Sequence, residues 1–138
     1  MVSEQDAGSI ESVRAQLTEL VGSDDAEDWA MLAPVLEAFV EGSSERRDEL
    51  VDAVHRCSTA EVEFLAHRLK GSALTLGVSD LAHVCGRLEH DARAGFVDDT
   101  GLLVSALVRE LDSAVRAIEH VRSGLLGGTQ EPAPSNGW

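Results

Sequence analysis

Apolar residues in this chain recur every three or four positions, the spacing that places them on one face of an α-helix. Val62, Leu65, Ala66, Leu69, Ala73 and Leu76 make one such stripe, and Leu81, Val84, Cys85, Leu88 and Ala92 make the next. A longer one runs through Val104, Leu107, Val108, Leu111, Val115, Ile118 and Val121. The palette agrees: three Phe, two Trp and no Tyr leave few of the bulky residues that strands favour. An all-α fold is expected. At 138 residues with 43% hydrophobic content, the chain is sized for one domain around one core.

Breakers and caps divide the pattern into elements. Ile10, Val13, Leu17, Leu20 and Val21 follow a cap at Ser9 and suggest a short first helix, broken by GSDDAED. From Trp29, a stripe through Leu32, Val35, Leu36, Phe39 and Val40 accommodates Pro34 only within a first turn. Leu50, Val51, Val54 and Cys57 continue it, either as a separate helix or through Gly42 as one. Ser58 or Thr59 opens a helix to about Leu76, where Gly77 suits a left-handed end. Ser79 or Asp80 opens the next, ending near Gly95, and the two form an antiparallel hairpin. Thr100 caps the last helix, which closes at Gly124. The expected organisation is an N-terminal extension with a short helix over 1–28, an antiparallel up-down four-helix bundle over 29–124, and a Gly- and Pro-rich disordered tail over 125–138.

A formal charge of -14 argues against nucleic acid and anionic membranes, because both are bound through Lys and Arg clusters and no basic stripe exists here. The start, MVSEQDAGS, lacks the basic flank and apolar run of a signal peptide, so the cytosol is the expected location. Cys57 and Cys85 occur singly in apolar helical patterns and are expected to be buried, reduced thiols. His55, His83, His90 and His120 form no i, i+4 metal-binding pair, so no metal site is expected. With no glycine-rich phosphate loop and no triad pattern, the chain is not expected to be an ATP-dependent kinase.

The helix around Val62 to Leu76 carries an unusual outer face. At about 100° per residue, His67 falls about 140° from Val62, opposite the core stripe and exposed at mid-helix. Gly71 follows one turn later on the same face, where Gly costs about 1 kcal/mol relative to Ala. Its missing side chain leaves room beside the imidazole for a phosphoryl group and for close approach of another protein. Lys70, the sole Lys against ten Arg, is within reach of whatever His67 carries. Phe64 and Leu74 add apolar surface on the outward side, suggesting docking. On the following helix, Glu89 is level with His67, because their midpoint falls at residue 78 inside the hairpin turn. It lies about 80° from Leu81, where its carboxylate could meet the imidazole, solvent or an Arg; spacing leaves the choice open.

The run HRLKGSALTLGVSDLAHVCGRLE, residues 67–89, resembles the signature of histidine-containing phosphotransfer (HPt) domains: His, any residue, Leu-Lys-Gly-Ser, a later Gly, then Leu, Cys and Leu-Glu. The resemblance implies an HPt-type bundle with an additional short N-terminal helix. It implies that His67 accepts the phosphoryl group, Lys70 steadies its oxygens, Gly71 gives clearance and Glu89 orients the imidazole or contacts the phosphate. Phe64, Arg68, Ser72 and Leu74 are then the docking residues. The implied partners are response regulator receiver domains, a histidine kinase, or both. No intrinsic cofactor is implied, Mg²⁺ being supplied by the receiver, and a monomer is expected. A neutral imidazole must attack, so acceptance should slow on acidification. The competing reading is a non-catalytic helical adaptor that binds receivers without phosphotransfer; a structural or metal-binding bundle ranks last.

Overall fold

A computed structural model describes residues 4–23, 25–97 and 101–127. The helices in chain order are α1 (Glu4–Val21), α2 (Ala26–Ala30), α3 (Ala33–His55), α4 (Thr59–Leu76), α5 (Ser79–Arg93) and α6 (Leu102–Gly127), with no strand among the described residues. Helices α3 to α6 close the four-helix bundle, each packing on its neighbours in the order α3, α4, α5, α6 and back to α3. The three stripes that suggested helices face inward, with Val62, Ala66, Leu69, Leu81, Cys85, Leu88, Leu107, Leu111 and Ile118 all buried.

The α4–α5 hairpin is fixed by its turn. Gly77 is left-handed at φ 81°, and the Val78 N–H returns to the Ala73 carbonyl at 2.9 Å, the usual closure of a helix end. A side chain at 77 would also collide, since its Cβ would lie 2.5 Å from Gln16 Cβ and 2.8 Å from the Ser12 carbonyl oxygen. Both atoms belong to α1, which crosses this turn and donates Ser12 Oγ to the Gly77 carbonyl at 2.6 Å.

The N-terminal segment therefore has a larger share in the fold than a short added helix would. α1 spans 18 residues, and Ser9 lies inside it rather than at its start. It packs along α6, and Val13 and Leu17 are fully buried in the common core. Burial of each such side chain contributes about 1.5–3 kcal/mol. The break at GSDDAED holds the start of α2, where Asp25 Oδ1 accepts the Glu27 N–H at 2.8 Å. Trp29 belongs to this turn of helix, buried and donating its indole N–H to the Ser23 carbonyl at 2.8 Å. The long bundle helix begins later, at Ala33, with Pro34 in its first turn as expected, and runs unbroken through Gly42.

Cys57 departs from the expected stripe. It lies beyond the end of α3, exposed, with φ 54°, and the Ser58 N–H reaches back to the Ala53 carbonyl at 3.0 Å. The cysteine occupies the left-handed position that glycine usually fills, which turns its side chain away from the core. Cys85 is buried as expected, and burial pushes its thiol up to about 12. α6 continues to Gly127, past the expected close at Gly124. The proposed cap Thr100 and the tail over 128–138 lie outside the described residues.

Candidate functional site

His67 projects from the middle of α4 with 67% of its side chain exposed. Glu89 stands level with it on α5, as the hairpin register requires, and its side chain is only 4% exposed. The flank left open by the spacing is now determined: Glu89 Oε2 lies 2.7 Å from His67 Nδ1. An ionised carboxylate can only accept, so Nδ1 carries the proton and the lone pair of the neutral ring sits on Nε2.

Two cations share the same carboxylate. Lys70 Nζ forms an ion pair with Glu89 Oε1 at 2.6 Å. The lysine stem passes over α5 at Gly86, 3.7 Å from where a Cβ there would be. Arg93, one turn beyond Glu89, donates Nη2 to Oε2 at 2.7 Å and Nε to Glu63 Oε2 at 3.0 Å. The ammonium of Lys70, with the His67 ring as a further donor, holds the Glu89 carboxyl down at about 2 against the opposing pull of burial. Glu89 is thus a permanent anion at neutral pH, placed under one nitrogen of an exposed imidazole.

Gly71 is exposed, and a Cβ built on it meets nothing within 4 Å. Packing within the chain therefore gives no reason for glycine at this interior helical position. The gap beside His67 opens into a groove of about 710 Å³ between α3 and α4, bordered by Pro34, Val35, Ala38 and Arg46 on one side and by Arg68, Gly71 and Ser72 on the other. On the opposite flank, Glu63, Phe64, Glu89 and Arg93 line a second recess of about 400 Å³. His67 borders both.

The expected docking residues lie around this ridge. Phe64 and Leu74 are 60% and 56% exposed, and the Arg68 guanidinium sits 5.5 Å from the centre of the Phe64 ring. Leu74 faces the α1 side, beside Ala15, Gln16 and Glu19. Two features escaped the sequence reading. Arg93 was not singled out, although its position four residues after Glu89 on one helix is a visible pairing signal. Val35 shares the spacing of the core stripe but is 47% exposed and borders the larger groove. His55, His83, His90 and His120 are all exposed, and no group of His, Cys, Asp and Glu among the described residues could hold a metal ion. No helix among the described residues is long and apolar enough to cross a membrane.

Comparison with known families matches residues 34–120 to the Hpt domain. Comparison with curated proteins gives no significant match. Among solved structures, the chain is similar to the crystal structure of histidine-containing phosphotransfer protein B (HptB) from Pseudomonas aeruginosa PAO1, with 27% identity and a TM-score of 0.65. The alignment covers 80% of this chain and 90% of that one.

Proposed function

This chain belongs to the Hpt domain family and is a histidine phosphotransfer protein of a phosphorelay, and on that premise we propose that His67 is the atom-bearing site of transfer. His67 takes a phosphoryl group from the aspartyl phosphate of a receiver domain, or directly from a histidine kinase, and passes it to a response regulator. The lone pair on Nε2 forms the N–P bond. The bond from phosphorus to the donor oxygen breaks, and its electron pair returns to the donor, which for a receiver is the regenerated aspartate carboxylate. The ring keeps its Nδ1 proton and gains a formal positive charge, which the Glu89 anion at 2.7 Å compensates where it develops. Transfer onward to a second receiver reverses these events.

The chain supplies a nucleophile, a counter-anion, a nearby ammonium and a surface; the receiver supplies its acidic pocket and Mg²⁺. Phe64, Arg68, Ser72 and Leu74 dock the partner, and Gly71 gives it clearance. The protein acts in the cytosol as a monomeric carrier without kinase activity of its own. The observation that carries this reading is the pairing of an exposed Nε2 with an Nδ1 held by a buried carboxylate.

Incubation with a phosphorylated receiver tests it. An acid-labile, base-stable modification confined to His67, lost in His67→Gln, is the expected outcome. A relay that still passes its signal through the Gln variant would instead make the chain an adaptor.

A further inference from the structure

The two cations at Glu89 divide its oxygens between them. Lys70 meets Oε1, whereas Arg93 meets Oε2, the same oxygen that accepts the His67 Nδ1 proton. Their freedom differs as well. Lys70 has a single partner in this cluster and a flexible four-carbon stem. Arg93 is clamped at its other end by Glu63, one turn before His67 on α4, so its planar fork spans the two helices.

A phosphoryl group arriving on Nε2 brings two negative charges close to Lys70, and the ammonium is drawn toward them. Glu89 would then face its burial with one cation fewer, and a buried carboxylate short of partners takes up a proton or shifts. Either response would release Nδ1 while the ring carries its positive charge. Arg93 is placed to prevent this, because it grips the oxygen that Lys70 does not use.

We propose that Arg93 is a positioning residue for phosphoryl transfer: bridging Glu63 and Glu89, it holds Glu89 Oε2 on His67 Nδ1 and frees Lys70 to move from Glu89 to the phosphoryl group. The proposal rests on His67 being the phosphoryl acceptor. It explains why the Arg93–Glu89 pair, whose carboxylate is buried, is continued through the exposed Arg93–Glu63 contact, which would add little to stability by itself, into a three-residue bridge across helices.

The test uses the full chain with ¹⁵N-labelled histidine, as wild type, Arg93→Gln, Arg93→Lys and Glu63→Gln. Long-range ¹H–¹⁵N spectra read the His67 tautomer, and a phosphorylated receiver domain supplies the phosphoryl group for rate measurements. In Arg93→Gln the tautomers should become mixed and acceptance should slow about ten-fold, the scale of one charge-assisted hydrogen bond. Arg93→Lys, which keeps a cation at Oε2, should restore most of both. Glu63→Gln should show a smaller change of the same sign.

An Arg93→Gln protein with the wild-type tautomer overturns the proposal, whether or not its rate falls, because a slower rate alone would mean docking. So does a Lys variant as impaired as the Gln variant. Failure of the wild type to accept a phosphoryl group at all would refute the carrier function instead, and the tautomer spectra of the unphosphorylated proteins would still decide the role of Arg93.

Discussion

Replacing Gly71 by Ala should make the protein more stable and a poorer carrier. In an exposed helix interior, Ala is favoured over Gly by about 1 kcal/mol. The structure lets that gain stand in full, because the added Cβ has no atom within 4 Å to collide with. For a domain of this size the melting temperature should rise by about 3–5 °C. The docked complex responds oppositely. The methyl group enters the groove beside His67, and an extra carbon in a close-packed contact costs about 1–3 kcal/mol. At 1.4 kcal/mol per factor of ten, transfer should slow by about 5- to 150-fold. Urea unfolding and the initial rate of phosphoryl acceptance from a phosphorylated receiver measure the two effects on one preparation. A variant that gains stability and transfers at the wild-type rate would refute the assignment of the gap to a partner. Lost stability would refute the packing geometry itself.

Lys70→Ala should keep its fold, as read by circular dichroism, while transfer slows or the phosphohistidine becomes shorter-lived by about 10-fold or more, because one charge-assisted contact is lost. The Glu89 carboxyl stays ionised to about 2 against an ordinary 4.5, so its contribution to stability is complete above about pH 4.5 and drains away as pH falls toward 2. Denaturant midpoints of wild type and Glu89→Gln should therefore converge on acidification across that window; parallel curves would contradict the ion cluster. Cys57→Gly should stabilise by about 0.5–1 kcal/mol in urea melts, since a non-glycine residue in the left-handed region is strained and glycine repays part of that through its freedom in the unfolded chain.

Much of this arrangement is legible in the residues because it depends on short-range periodicity. The 3.6-residue repeat turns Val62 inward and His67 outward with no knowledge of the neighbours. Counting from the α4–α5 turn brings Glu89 level with His67 for the same reason, since two helices joined at Gly77 have little choice of register. What escaped depends on contacts between segments distant in the chain. Val35 carries the same stripe as Leu36, and only the placement of α3 beside α4 shows that it stands at the groove's edge. The length and burial of α1 follow from the site it finds on α6 and the Gly77 turn, which no local pattern announces. Cys57 reads as one more apolar position until the backbone reverses at Ser58. Arg93 was within reach of sequence reasoning, but its link to Glu63 crosses 30 positions and required the folded hairpin.

The most direct test of the mechanism identifies the nitrogen that receives the phosphoryl group. Because Glu89 occupies Nδ1 at 2.7 Å, ³¹P–¹⁵N correlation spectra of the phosphorylated protein should place the phosphorus on Nε2 of His67. A phosphoryl group on Nδ1, or on any of the other four histidines, would contradict it.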